Sequence, residues 1–277
     1  MDRLTAFLRA HAHPRPARAA GLAVASGAAV AVMVSGCGSA GNPSSGTKPL
    51  TARQVVTDAA QASARINSAA ATVTIMAGPE RLNENLRLQL HPALRMSTTL
   101  SGLPGVGNVS EIIDGTTLYL KVGSLAHAGK PWVRVSTSGA GSSSPIDELL
   151  QEASSGDLAT QAKLAEVVSG VHAAGHGVVD GVPTTRYEGS IQPSAVLPHL
   201  SPALRKLLTP TLGQIQGRLQ VSYWIDAQHR IRKVSEAQTV AGQHVTTTIV
   251  YTAINQPVHI MVPPASQVRS VSSLSDI

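Results

Sequence analysis

Cysteine and aromatic residues are scarce in this chain of 277 residues. Its one cysteine, Cys37, excludes an intramolecular disulfide, so packing alone must hold the fold together. Aromatic residues make up 3% of the chain, with one Phe, two Trp and four Tyr. The sequence therefore predicts a core built mainly from Val, Leu, Ile and Ala, with few aromatic contacts.

Motifs of common catalytic and nucleotide-binding sites are also missing from the sequence. There is no G-x-S-x-G elbow, no P-loop and no strand-linked G-x-G-x-x-G. His172 and His176 have the i, i+4 spacing of metal ligands, but they lie in what looks like a helix-to-strand joint, without a third ligand nearby. We therefore expect an exposed pair, no metal site, no cofactor and no catalytic residues. A hydrolase assembled from distant groups such as His172 and Asp180 is the weakest hypothesis.

Charge is sparse and scattered, which argues against nucleic-acid binding. The formal net charge is +6, and the first 36 residues contribute four arginines and one aspartate to it, so the remainder carries about +3. Basic residues cluster only at Arg230 to Lys233. A nucleic-acid-binding protein normally shows a concentrated basic patch.

The N-terminal segment has the features of an export signal. Several arginines precede an uncharged apolar run from Ala19 to Val34, which ends on Ser35-Gly36. The run is shorter than the roughly 20 residues of a membrane span, so residues 1–36 are predicted to be a signal peptide. The sequence from Val34 to Cys37 resembles a bacterial lipobox. That resemblance implies a diacylglyceryl group on Cys37, cleavage before it, and anchorage to the outer face of the cell membrane.

Three further parts are predicted after the signal peptide. Residues 37–50 are rich in Gly, Ser and Pro and are expected to form a flexible tether. Residues 51–265 form one domain, and residues 266–277 are expected to be a loose tail. The domain opens with a predicted helix from Ala52 to Ala69, because Thr51 and Gln54 form a capping box.

Much of the domain alternates between apolar and polar residues, the pattern of half-buried strands. Asp114-Gly115 and Asp180-Gly181 indicate hairpin turns between such strands. Further helices are expected after a cap at Ser144, with Ile146, Leu149 and Leu150 as the apolar face, over 158–168 and, in short proline-broken pieces, over 193–212. The sum is an α+β fold with a strongly curved antiparallel sheet of about eight strands, whose concave face is covered by helices.

Three stretches resemble the actinobacterial LppX/LprG-type lipoproteins, whose fold is LolA-like. They are 113–120 (IDGTTLYL) running into 129–133 (GKPWV), 179–189 (VDGVPTTRYEG) and 221–226 (VSYWID). The resemblance covers most of the chain from the first helix to Pro264. It implies a half-open barrel closed by helices, with an apolar cavity that accepts a lipid or glycolipid, and it leaves room for an envelope transporter or protein partner.

Nine apolar residues at alternating positions are the candidate lining of that cavity. They are Leu86, Leu88, Leu90, Met96, Leu118, Leu120, Val221, Tyr223 and Ile225. Alternation alone fits both a filled core and a cavity for lipid tails. Two functional hypotheses therefore stay open: a membrane-anchored carrier of lipid acyl chains, and a non-enzymatic sensor or interaction lipoprotein that contacts an envelope protein.

Overall fold

The computed structural model describes residues 49–271 apart from 64, 104, 124–128, 137–166 and 201. The signal peptide, Cys37 and most of the tether therefore lie outside the described residues. So do the helix expected after the cap at Ser144 and nearly all of the helix expected over 158–168.

Twelve strands form a single sheet in the described part of the chain. Their bounds are β1 (Ser68–Ala77), β2 (Glu80–Gln89), β3 (Arg95–Leu103), β4 (Gly107–Asp114), β5 (Thr117–Lys121), β6 (Trp132–Ser136), β7 (Ser169–Val179), β8 (Val182–Ile191), β9 (Ile215–Asp226), β10 (Ile231–Val240), β11 (Gln243–Ile254) and β12 (Val268–Val271). The predicted number of about eight was too low. Alternation is weak in β7, which is rich in Gly and Ala, and β12 has only four residues.

The sheet is made of two antiparallel meanders that meet at β1 and β11. The strand order is β12-β6-β5-β4-β3-β2-β1-β11-β10-β9-β8-β7. Every neighbouring pair is antiparallel except β12 and β6, which are parallel. The described part of the chain thus forms a large, open, mostly antiparallel sheet with few helices, which confirms the antiparallel sheet of the α+β prediction.

Tight turns connect several of these strands, as predicted. Asp180 and Gly181 form a two-residue loop between the paired residues Val179 and Val182, with φ of 50° and 76°. Positive φ at both positions is the geometry of a type I′ hairpin turn, which Asp-Gly adopts readily. The hairpin predicted at Asp114-Gly115 is also present, because Asp114 pairs with Thr117.

Helix α1 (Ala52–Ser63) begins with the predicted capping box. The Thr51 N–H donates to Gln54 Oε1 at 2.8 Å, and the Gln54 N–H donates to Thr51 Oγ1 at 3.3 Å. The helix ends at Ser63 and not at Ala69 as predicted. Residues from Ser68 onward pair with β2 and β11 instead, so ladder hydrogen bonds override the helix preference of the alanines.

Short helices occupy the proline-rich region, as predicted. They are α2 (Pro193–Val196), a 3₁₀ turn (Leu197–His199) and α3 (Pro202–Leu212). Pro210 does not break α3 but lies inside its last turn. Within the described residues, no helix is long and apolar enough to cross a membrane.

The C-terminal segment differs from the expected loose tail. Val268 to Val271 form β12 and pair in parallel with Trp132 to Val135 of β6. The alternation is too short there to reveal a strand, and the partner is far away in the sequence. Residues 272–277 lie outside the described residues.

Two apolar clusters form the core of the described chain. The larger cluster joins α1 to β1 and to β9–β11 and includes Val56, Ala59 and Tyr251. The smaller one lies on β4–β6 and includes Ile113, Leu118 and Val133. Helix α1 therefore covers only one half of the sheet.

Removing apolar volume under α1 is expected to destabilise the fold. The side chain of Val56 is 2% exposed, so Val56→Ala should lower the free energy of unfolding by about 2 kcal/mol. Val178 is 69% exposed, and Val178→Ala should cost less than about 1 kcal/mol. Urea unfolding of both variants measures the difference. Equal losses would contradict the packing of α1 on the sheet.

Candidate functional site

The two faces of the sheet differ in chemistry. Alternate residues of β1, from Ala69 to Ala77, are buried on one face, which we call the inner face. Residues directly opposite one another in paired strands share a face. Val73 is paired with Glu84 of β2 on one side and with Ile249 of β11 on the other. Ile249 is paired in turn with Val234 of β10, and Val234 with Tyr223 of β9. The inner face is thus continuous across both meanders.

The sequence-predicted cavity residues lie together on this inner face. Pairing places Leu86, Leu88, Met96, Leu118, Leu120, Val221, Tyr223 and Ile225 there. Leu90, just beyond β2, packs with Leu88 and Met96. Period-two alternation was therefore enough to select residues of one face, although it could not tell core from cavity.

Burial divides the nine residues into two groups. Val221, Tyr223 and Ile225 are buried in the same cluster as α1, so they belong to a filled core. Leu118 is also buried. The other five, which are Leu86, Leu88, Leu90, Met96 and Leu120, are only half-buried. The half of the inner face away from α1 thus keeps partly exposed aliphatic side chains.

A cavity of about 460 Å³ lies where α1 meets the ends of β7–β9. Val55, Tyr187 and Ile225 supply its apolar lining, while His176 and His229 supply polar groups. Of the nine predicted residues, only Ile225 lines it. A volume of this size is within the usual range for small-molecule sites.

A turn held by Asp226 shapes one side of this cavity. Asp226 Oδ1 accepts the backbone N–H groups of Gln228 and Arg230, and Oδ2 accepts Arg230 Nε at 2.8 Å. The carboxylate is therefore used in building the turn, as expected for Asp in such a position. Its neighbour His229 has Nδ1 3.9 Å from Asp58 Oδ2 on α1.

The two histidines with metal-like spacing do not form a pair. Both lie in β7, not in a helix-to-strand joint, and both are exposed. His172 opposes Glu188 and His176 opposes Thr185, because the ladder is irregular between Ala173 and Gly175. Glu188 and Thr185 are three residues apart and face opposite sides of the sheet, so the histidines do as well. Among the described residues, no group of three His, Cys, Asp or Glu could hold a metal ion.

The groups considered for a hydrolase are also far apart. Asp180 follows the end of β7, eight residues beyond His172. At the rise of a strand this separation is about 26 Å. His172 Nε2 instead lies 3.8 Å from Glu188 Oε2 on the outer face.

Apart from Glu80 at the start of β2, three glutamates, Glu84, Glu111 and Glu236, occupy the inner face. Glu84 pairs with Val73, Glu111 with Leu120 and Glu236 with Val221. No hydrogen bond or ion pair joins any of the three to another described residue. Carboxyl groups on an otherwise apolar face are costly when ionised.

The surroundings of these glutamates favour their neutral forms. Burial and, after it, the negative charge of Glu111 raise the pKa of Glu84 to about 7. Burial also raises the pKa of Glu111 and of Glu236. Burial and the neighbouring Glu236 raise the pKa of Tyr223 and Tyr251 as well. The inner face thus favours neutral carboxyl groups at Glu84, Glu111 and Glu236.

The sequence contained a signal for these glutamates that pattern analysis missed. Glu84 has the same parity as Leu86 and Leu88, and Glu111 has the same parity as Ile113. An acid at an inward position of an apolar strand marks a buried charge. The candidate residues were chosen among apolar side chains only, so these glutamates were not predicted.

Comparison with known proteins finds similarity only among solved structures, since no protein-family model and no curated protein matches. Lipoprotein LppX of Mycobacterium tuberculosis and LprF of Mycobacterium bovis each align at 18% identity with a TM-score of 0.49, covering 76% of this chain and 96% of theirs. A LolA-superfamily protein of Nitrosomonas europaea aligns at 9% identity with a TM-score of 0.26, covering 76% and 96%. These solved structures are of the LppX/LprG type and the LolA-like fold that the sequence resembles.

The raised pKa of Glu84 predicts a specific pH dependence of stability. Since the folded pKa of about 7 exceeds the ordinary value of 4.5, Glu84 lowers stability as the pH rises from about 4.5 to 7. Glu84→Gln should therefore raise the free energy of unfolding at pH 8 by about 1–3 kcal/mol and change it little at pH 4. Urea unfolding across this range tests the expectation.

Glu80→Gln serves as the control, because it removes a carboxylate from the end of the same strand. It should leave the pH profile close to that of the unaltered chain. A gain from Glu84→Gln that is equal at pH 4 and pH 8 would refute the role given to burial.

Proposed function

We propose that this chain is an exported lipoprotein that binds lipid acyl chains on its inner face and carries or presents them without catalysis. Cys37 carries the diacylglyceryl anchor and holds the domain at the outer face of the cell membrane. The ligand is an envelope lipid or glycolipid. The sheet in this proposal is a curved half-barrel whose helices lie over its concave side.

The observation that carries the proposal is the half-buried aliphatic surface away from α1. Leu86, Leu88, Leu90, Met96 and Leu120 share this surface and are neither fully packed nor fully exposed. Acyl chains would gain roughly 0.8 kcal/mol for each methylene buried against it. Side chains that serve only as core would be expected to be as buried as Val221 on the same face.

The cavity beside α1 supports the proposal at the other half of the sheet. Its apolar lining by Val55, Tyr187 and Ile225 suits a hydrocarbon chain, and the polar groups of His176 and His229 suit a head group. When protonated, the inner-face glutamates would add no charge to the part of the inner face that lies between this cavity and the half-buried aliphatic surface. Ligand binding is therefore expected to strengthen as the pH falls and these carboxyl groups become protonated.

A non-enzymatic interaction lipoprotein remains the second candidate. Half-exposed apolar side chains on one sheet face also fit a protein partner. The two candidates differ in what the purified protein contains and in how it responds to free acyl chains.

Substitution of one inner-face methionine is expected to weaken acyl binding. Met96 is half-buried on the inner face, and Met96→Gln should raise the Kd for a fluorescent fatty-acyl probe about fivefold or more. Met76 lies on the opposite face of β1 and is 38% exposed, so Met76→Gln is the matched control and should leave the Kd unchanged. Fluorescence titration measures both variants.

Mass spectrometry of the protein purified without detergent distinguishes the candidates. A stoichiometric lipid in the organic extract would support the carrier and identify its cargo. An empty protein that also rejects acyl probes would rule out the carrier and leave the interaction lipoprotein.

The anchor is tested separately at Cys37. In an exporting bacterial host the chain should acquire the mass of a diacylglyceryl group on an N-terminal Cys37 and fractionate with membranes. Cys37→Ser should abolish both the added mass and the membrane fractionation that survives a high-salt wash. An unmodified chain with its first 36 residues intact would disprove the lipobox assignment.

A further inference from the structure

Charged residues on β2–β6 are sorted between the two faces of the sheet. The inner face of these strands carries Glu80, Glu84 and Glu111. The outer face carries Arg81 near the start of β2, where it donates to Asn83. It also carries four further cationic side chains and two aromatic ones, which we call the outer patch: Arg87, Arg95, Tyr119, Lys121, Trp132 and Arg134.

The register spreads the outer patch across five strands. Arg87 on β2 and Arg134 on β6 stand at the two ends of a single row of opposed residues. The residues between them are Ser97, Ile112 and Tyr119, one on each of β3, β4 and β5. Four strand spacings separate the ends of this row, about 19 Å. Lys121 and Trp132 occupy the next row, where the Lys121 Nζ lies 5.9 Å from the centre of the Trp132 ring.

The cations of this patch are largely available to an external partner. Arg87, Lys121 and Arg134 are exposed, and neither arginine forms an ion pair or hydrogen bond with another described residue. Arg95 is the exception, since its Nε lies 2.8 Å from Asp114 Oδ1. That ion pair neutralises the one acidic side chain on the outer face of these strands, so the patch keeps a clear positive charge.

We propose that the outer patch docks the protein on a bilayer surface that carries anionic lipid head groups. Charge complementarity identifies the partner, because separate cations spread over a sheet face match head groups spread over a surface. Such lipids attract basic residues that lie within about a Debye length. The docking leaves the inner face turned away from the bilayer surface.

The aromatic residues favour a bilayer over an acidic protein or a polyanion in solution. Tyr119 and Trp132 are half-buried between the cations, and Trp and Tyr are enriched where apolar and aqueous regions of a bilayer meet. Lys121 over the Trp132 ring combines both features at one position.

The docking surface is independent of the acyl-binding site, although it relates to the proposed anchor. Eleven residues lie between Cys37 and Pro49, where the described chain begins, and the twelve Cα–Cα steps can span at most about 43 Å. A domain anchored at Cys37 would therefore stay within reach of the bilayer surface, which favours docking by raising its local concentration.

Vesicle co-sedimentation tests this inference on the chain from residue 37 onward carrying Cys37→Ser, so that neither an acyl anchor nor the basic, apolar segment 1–36 contributes. Vesicles of phosphatidylcholine with about 30% phosphatidylglycerol should bind the protein, pure phosphatidylcholine should bind it much less, and high salt should remove the difference. The double variant Arg87→Gln, Arg134→Gln should weaken binding to anionic vesicles at least about tenfold.

The control carries the same charge change away from the sheet. Arg65 and Lys206 are exposed and lie outside the strands, so Arg65→Gln with Lys206→Gln should retain most of the binding. Circular dichroism and thermal unfolding verify that both double variants fold. Equal losses in the two variants, or no preference of the unaltered chain for anionic vesicles, would overturn the inference.

The acyl-probe titration on the same proteins separates this inference from the proposed function. Uptake of the probe without any binding to anionic vesicles would defeat the docking surface and leave the carrier intact. Patch-dependent binding to anionic vesicles without probe uptake would support the docking surface and defeat the carrier.

Discussion

The pairing of β1 with β11 is the interaction on which the rest of the sheet depends. Each of these strands ends one meander, and their nine-residue register joins the two meanders into one surface. The inward residues of β1 are fully buried there, and three of the five are alanine. Without this pairing the inner face would divide into two smaller faces, and only the face beside α1 would be covered by a helix. A ligand could contact both halves of the inner face only because β1 and β11 join them.

Strict alternation then assigns each side chain to one environment. A shift of one residue in any ladder would move every side chain of that strand to the other face. Glu84 and Glu111 would then meet water, while Arg87 and Arg134 would enter the apolar side. Because the register is fixed by buried aliphatic residues, the distribution of charge is fixed with it. The inner acids and the outer cations are thus consequences of one pattern.

The sequence predicted the structure best where apolar and polar residues alternate most regularly. Nine candidate residues were assigned to one face because alternation is a local property, whereas their burial depends on where α1 ends and packs. The end of α1 could not be read from an alanine-rich segment that suits both helix and strand. The strand character of His172 and His176 was hidden by glycines, and β12 depends on a distant partner. The three inner glutamates were readable from parity, since they stand at positions that otherwise carry aliphatic side chains.

The irregular ladder of β7 has a consequence for self-association. Within the described residues β7 forms one edge of the sheet, and a long, regular edge strand can recruit further chains into a growing aggregate. Register shifts lie between Ser169 and His172 and between Ala173 and Gly175, and Gly170 and Gly175 have positive φ. Such bulges twist the exposed hydrogen-bonding groups out of line. The opposite edge of the described sheet is the short strand β12, so neither edge, as far as the described residues go, offers a long, regular template for fibril-like growth.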